Sequence, residues 1–221
     1  MDRYQKSSNT LALLFLDFCK AFDLVDHDTL LAKLHAIGVQ GQFYATIRSY
    51  LSDHYQCVRV GSTWSTLLPV TTGVPQGLIL APTLFLIFIN DLLALPLNSK
   101  VHAYADDTTF YRSNKNPLLL QCQINNDFFL IQKWCTQSKM SVNTSKSHYL
   151  IVNPKPVFSF SFLFQGTALL ERSVTKLLGF TITNDLSWKE HICDIFKKVL
   201  KNLRLLFHIL HLLDFRTYIL C

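Results

Sequence analysis

Charge is what this chain has least of. Asp, Glu, Lys and Arg make up 16% of its 221 residues, where a soluble domain carries roughly 25%. Against 49% hydrophobic residues, that scarcity excludes intrinsic disorder, which needs low hydrophobicity and high net charge. Glycine and proline number only seven each, which rules out collagen-like repeats and long linkers. The six cysteines (Cys19, Cys57, Cys122, Cys135, Cys193 and Cys221) include no C-x-x-C pair and none at zinc-finger spacing from a histidine. A structural zinc site is therefore not expected. A chain this long and apolar needs no disulfide framework, and reduced thiols in an intracellular protein fit better. Met1 to Thr10 is polar, with charges at Asp2, Arg3 and Lys6, and reads as no signal peptide. Long apolar runs are missing too. A membrane span needs about 18 residues, whereas Leu78 to Ile89 is broken by Pro82 and Thr83 and closed by Asn90 and Asp91. A buried helix explains it better.

What remains is core-forming material with a modest basic excess. Twenty-one Lys and Arg against fifteen Asp and Glu give a net charge of +6, which permits a nucleic-acid partner without requiring one. Leu11 to Leu16 is a continuous apolar run and predicts a strand buried on both faces. Leu30, Leu31, Leu34 and Ile37 predict a helix stopped at Gly38, and Phe43, Ile47, Tyr50 and Leu51 a second one. Tyr55 to Val60 and Trp64 to Val70 read as a hairpin turning at Gly61-Ser62. Helices are expected over about Ala81 to Leu93 and Leu118 to Ser138, with two short strands between them hinged at Asp106-Asp107. Further strands are expected at His148 to Val152, Val157 to Phe164 and Leu177 to Ile182. Trp188 to Leu213 is amphipathic, with Phe196, Val199, Leu200, Leu203 and Phe207 in one stripe and Lys197, Lys198, Lys201 and Arg204 largely on the other face. The fold class is α+β, with no internal repeat.

Three carboxylates stand in costly places. Asp17 ends the apolar strand, and Asp106-Asp107 sit between Tyr104-Ala105 and Thr108-Thr109-Phe110. Neighbouring ionised carboxylates repel, and burial near a core adds to the cost. A divalent cation removes that penalty. A plain hairpin turn, where Asp is common, accounts for the Asp pair equally well on composition alone.

The chain resembles the reverse transcriptases of non-LTR (LINE-type) retrotransposons. The stretch FLDFCKAFDLVDH, Phe15 to His27, is similar to the family's motif A. GVPQGLILAP, Gly73 to Pro82, is similar to motif B, and YADD, Tyr104 to Asp107, to motif C. WCTQSKMSVNTSKS, Trp134 to Ser147, resembles motif D with its preceding helix, and KLLGF, Lys176 to Phe180, the primer-grip hairpin. The motifs occur in family order over nearly the whole chain.

That resemblance implies a polymerase palm: a central antiparallel sheet flanked by helices, with the fingers missing and the thumb truncated. Residues 1–185 would be the palm, motifs A to E, and 186–221 the start of a thumb helix. Asp17, Asp106 and Asp107 would hold two Mg²⁺ ions, or Mn²⁺ in their place, for two-metal nucleotidyl transfer. Lys146 would protonate the departing pyrophosphate. Phe22 would sit under the sugar and exclude a ribose 2′-hydroxyl. Gln76 and Gly77 would contact the incoming nucleotide, and Leu178 and Gly179 would steady the primer terminus. RNA template, DNA primer and dNTPs are the implied partners, with no membrane. The fingers and an endonuclease would belong to a longer polyprotein, and the nucleus is the implied compartment. Asp23 and Asp26 read either as helix caps or as part of the site. Trp134 and Trp188 read as core rather than as base-stacking platforms.

The sequence departs from the family at Leu78 and Ala81, where motif B normally carries a small Ser or Gly and a Gly respectively. Two readings stand beside each other: the palm of an RNA-directed DNA polymerase, and an inactive or domesticated remnant that keeps the palm fold as a nucleic-acid-binding module. Apolar surface left uncovered by absent neighbours predicts poor solubility for the chain alone.

Overall fold

The computed structural model describes residues 9–74, 80–152 and 158–209. Along the chain, strand β1 (Thr10–Leu16) leads to helices α1 (His27–Ala36) and α2 (Gly41–Leu51). Four two-residue strands follow: β2 (Tyr55–Gln56), β3 (Arg59–Val60), β4 (Thr63–Trp64) and β5 (Leu68–Pro69). Then come α3 (Leu80–Leu93), β6 (Lys100–Tyr104), β7 (Asp107–Asn114) and α4 (Pro117–Gln137). The last third holds β8 (His148–Val152), β9 (Leu163–Phe164), β10 (Thr167–Ala168), β11 (Leu170–Glu171), β12 (Val174–Leu177), β13 (Phe180–Thr183) and α5 (Lys189–Ile209).

Five strands form the central sheet in the order β11-β8-β1-β7-β6. All neighbours are antiparallel except β11, which runs parallel to β8. As the sequence predicts, β1 is central, and six of its seven residues are buried. Period-two alternation divides its side chains between two cores. Ala12, Leu14 and Leu16 join Phe110, Tyr149 and Ile151 in the large core shared with α1, α2, α3 and α4. Leu11 and Phe15 join Leu150 and Val152 in a smaller core, against which Tyr111, Leu177 and Leu186 pack. One face of the sheet is therefore covered by helices, and the other only partly, by the β12–β13 hairpin.

The helices begin and end where local chemistry directs. Asp26 caps α1, its Oδ1 accepting from the Thr29 backbone N–H at 3.0 Å and the Thr29 hydroxyl at 2.6 Å. Its other carboxylate oxygen meets Lys139 Nζ at 2.8 Å. That settles Asp26 as a cap. Asn116 caps α4, with Pro117 in the first turn, where a missing N–H costs nothing. In α3, Ala81, Leu84, Phe85, Phe88, Ile89 and Leu92 are buried, the i, i+3, i+4 stripe of a core helix. Half-buried Lys33 ties three elements together. Its Nζ donates to the Phe88 carbonyl, Asp91 Oδ1 and Ser138 Oγ, and it lies 4.3 Å from the Phe88 ring centroid.

Several expectations are corrected here. The Tyr55–Pro69 hairpin forms and turns at Gly61-Ser62 as expected, but its ladder is interrupted: β3 pairs with β4 and β2 with β5, all of exposed residues. The Leu177 to Ile182 segment is not one strand; it folds back between β12 and β13. Of Val157 to Phe164, only Leu163–Phe164 is a strand among the described residues. Phe160 and Phe162 are nevertheless buried, against the core rather than in a ladder. Trp134 is buried as predicted, but Trp188 is 45% exposed and stands at the start of α5. The apolar stripe of α5 is present, yet none of the helix's residues is buried.

Candidate active site

The register of β1 and β7 brings the three singled-out carboxylates to one end of the sheet. Leu16 pairs with Thr108, and Asp17 follows Leu16 as Asp107 precedes Thr108. Two residues distant in the sequence thus become cross-strand neighbours. Tyr104 pairs with Asp107, so the tight turn between β6 and β7 consists of Ala105 and Asp106, with Ala105 at φ +52°. The predicted hinge is therefore shifted: Asp106 is in the turn and Asp107 opens β7.

Asp17 and Asp107 continue the alternation onto the less covered face of the sheet. Both line a small cleft of about 100 Å³ with Thr109, Lys146, His148 and Lys176. On its other side, Asp17 shares a cleft of about 620 Å³ with Phe22, Asp23, Asp106, Asn143 and Lys146. Burial, and then the negative charges of Asp106 and Asp17, push the Asp107 carboxyl above its ordinary range. The three carboxylates are thus coupled.

The segment carrying Lys146 is clamped to Asp17 by backbone chemistry. The Asn143 N–H donates to the Asp17 carbonyl at 2.7 Å. The Asp17 N–H donates to Ser147 Oγ at 3.1 Å, and that hydroxyl in turn donates to the Asn143 carbonyl at 2.8 Å. Lys146 is exposed and lines both clefts. Neither Asn143 nor Ser147 was singled out from the sequence. Only the pairing of remote segments reveals their role, although the short polar run around Lys146 was a hint that the chain turns there.

Phe22 is half-buried, its ring stacked on Phe85 at 4.4 Å, and it edges the larger cleft. The segment behind it is held by Gly73, which has φ +93°. A Cβ there would come within 3.1 Å of the Asp23 carbonyl oxygen, so this close approach requires glycine. The Gly73 N–H donates to the Val25 carbonyl at 2.7 Å. Gln76, Gly77 and Leu78 lie outside the described residues. Leu178 and Gly179 form the two-residue turn of the β12–β13 hairpin, both with positive φ, as a type I′ turn needs. Leu178 lines an apolar groove with Tyr104 and Asp107, which brings the hairpin tip beside the carboxylates. Asp23 is exposed at the rim of the larger cleft.

The donor set suits a hard divalent cation, since carboxylate oxygens are its preferred ligands and mutual repulsion favours a counter-ion. Among the described residues, no three Asp, Glu, His or Cys groups are gathered closely enough to hold an ion by protein ligands alone. Mg²⁺ asks for less, namely one or two carboxylates completed by water and substrate phosphates. Asp17, Asp106 and Asp107 fit that requirement. No helix among the described residues is long and apolar enough to cross a membrane.

The chain has recognisable relatives among known proteins. Residues 2–182 match the family model described as reverse transcriptase (RNA-dependent DNA polymerase). The chain is 27% identical over 188 residues to the RNA-directed DNA polymerase from mobile element jockey of Drosophila melanogaster, with 82% of this chain and 20% of that protein covered. It is 28% identical over 194 residues to the probable RNA-directed DNA polymerase from transposon BS of the same organism, covering 81% and 21%. The chain therefore spans about a fifth of the length of the curated relatives it matches. Among solved structures, a telomerase from Candida tropicalis in complex with a TWJ fragment of telomeric RNA superimposes with a TM-score of 0.57. It is 13% identical, with 84% of this chain and 30% of that one covered. A Candida albicans telomerase gives 0.53 at 14% identity, covering 80% and 30%. At such identities the telomerase likeness is one of fold, and the fold is a polymerase palm.

Proposed function

The chain belongs to the reverse transcriptase family, and from that premise we propose that its carboxylate end is the nucleotidyl-transfer centre of an RNA-directed DNA polymerase. The observation that carries the proposal is the β1–β7 register, which joins Asp17 to Asp106-Asp107 in a like-charged set beside Lys146.

In the proposed reaction the primer 3′-hydroxyl gives its proton to water as its oxygen attacks the α-phosphorus of a dNTP, the bond from that phosphorus to the oxygen bridging to the β-phosphate breaks, and pyrophosphate leaves. Bound Mg²⁺, or Mn²⁺ in its place, supplies charge neutralisation, a more acidic 3′-hydroxyl and support for the leaving group. Asp17, Asp106 and Asp107 would provide the oxygen ligands for it and so set where the reacting phosphate sits. Lys146, reaching the same clefts, gives its ammonium proton to the departing pyrophosphate oxygen. Phe22, backed by Phe85, forms a rigid floor that leaves no room for a 2′-hydroxyl and so selects dNTPs. Gln76 and Gly77 contact the incoming nucleotide, while Leu178 and Gly179 meet the primer end from the hairpin tip. RNA template and DNA primer are the nucleic-acid partners, and target-site priming on chromosomal DNA places the reaction in the nucleus.

The test is Mg²⁺-dependent extension of a DNA primer on an RNA template. Extension by the parent chain and none by the Asp106→Asn/Asp107→Asn variant is the expected outcome. Duplex binding by both chains, with extension by neither, favours the other reading, a palm that keeps its fold as a nucleic-acid-binding module.

A further inference from the structure

The β12–β13 hairpin makes its own two-stranded sheet and shares no ladder with the five central strands. The hairpin tip and the Lys146 turn must nevertheless keep a fixed relation if both are to serve one reacting phosphate. Leu177 packs across the gap, and one side chain, His148, hydrogen-bonds across it. His148, the first residue of β8, has its Nδ1 2.9 Å from the Lys146 carbonyl oxygen and its Nε2 2.6 Å from Thr175 Oγ1 on β12. A carbonyl only accepts, so Nδ1 carries the proton. In a neutral ring Nε2 must then accept, and the Thr175 hydroxyl donates. Phe15, stacked on the imidazole at 5.0 Å and 17°, fixes the plane of the ring. Thr175 is 5% exposed, so water competes poorly for its hydroxyl.

Burial holds the imidazole below its ordinary pKa, and the Arg172 charge acts in the same sense, against the hydrogen bond to the Lys146 carbonyl. The ring is consequently neutral at pH 7, and its two hydrogen bonds then run in opposite senses. The clamps from Asn143 and Ser147 secure both ends of the Lys146 turn to Asp17 but leave the Lys146 carbonyl to His148 alone among the interactions described above.

We infer that His148 is a positioning residue for the proposed transfer reaction, a link that holds the Lys146 turn and the β12–β13 hairpin in one register beside Asp17. The inference rests on the polymerase reading for its purpose, but not for its physical content. It acts through Lys146 and the hairpin tip, and His148 itself touches no reacting atom.

The test separates the two. Backbone amide exchange is followed over residues 143–147 and 175–180 in the parent chain, in His148→Phe and in Thr175→Val, which keeps the shape and removes only the hydroxyl. Faster exchange in the turn on Thr175→Val, about threefold or more and 28 or more residues from the change, is expected. The double variant should be no faster than His148→Phe alone. Unchanged exchange in the turn with Thr175→Val overturns the link, and this arm stands even if His148→Phe fails to fold. In primer extension normalised to active sites, Thr175→Val should raise the KM for primer several-fold as well as lowering kcat. A merely less stable chain would lose active sites and leave KM where it was, and that result also counts against the inference. Absence of extension by the parent chain counts against the polymerase reading, while the exchange comparison still decides the link.

Discussion

On the helix-covered face of the central sheet, Ala12, Leu14, Leu16, Phe110, Tyr149 and Ile151 are at most 3% exposed. On the opposite face, alternate residues of the same strands end in Asp17, Asp107, Thr109 and His148 around a polar cleft. The first face is dry and close-packed, and its contribution is hydrophobic burial. The second tolerates coupled carboxylates because it is only partly covered, so the charged groups keep water. A single strand serves both purposes through its period of two. Stability and chemistry are thus one residue apart in sequence and on opposite sides of the sheet.

The sharpest way to probe that contrast is to cut the dry face. Phe110→Ala removes a ring that is 1% exposed and should destabilise by about 3–5 kcal/mol, read as a lowered denaturant midpoint. A smaller loss would mean that the helices collapse onto the gap. The helices that cover the dry face are tested next, at the cap of α1. Burial raises the Asp26 pKa, but the hydrogen bonds from Lys139 and Thr29 outweigh it and hold the carboxyl below 3.8. Its folded-state value is depressed, so its stabilisation is present above pH 3.8 and disappears as pH falls through the lowered value. Asp26→Ala should cost about 1 kcal/mol at neutral pH, and Asp26→Asn less, because the amide oxygen still accepts from Thr29.

The smallest effect is expected on the open face, and with the opposite sign. Asp107 is raised in the folded chain, so in metal-free buffer the folded state loses stability as pH climbs from 3.8 through the raised value. Asp107→Asn should abolish that loss and leave the chain as stable as the parent or slightly more so. Destabilisation by Asp107→Asn, measured in parallel urea titrations across that window, would break the division of labour between the faces.

Part of this was legible in the order of residues. The run from Leu11 to Leu16, the stop at Gly38 and the buried helix α3 are local patterns, and each formed as its pattern directs, while Asp26 took the capping role that was one of its two readings. The motif resemblance located Asp17, Asp106, Asp107 and Lys146 as the residues to watch. The failures share a cause. Trp188 reads as core because its neighbours have helical spacing, but whether anything covers a helix face is not a property of the helix. The Tyr55–Pro69 hairpin forms as read, yet nothing in its own alternation told that its ladder would be interrupted or that Val60 would be 75% exposed. His148 looked like an ordinary strand residue, since neither of its partners' roles is visible from its own surroundings in the chain.

Capping, turn chemistry and hydrophobic period act over three or four residues, and the sequence by itself determined those features and with them the helices and the central strand β1. Which carboxylate faces which, that Ser147 and Asn143 clamp Asp17, and that one imidazole bridges to Thr175 were decided only by the tertiary structure. Those contacts join segments tens to more than a hundred residues apart, and their geometry exists only after β1 has paired with β7 and β8.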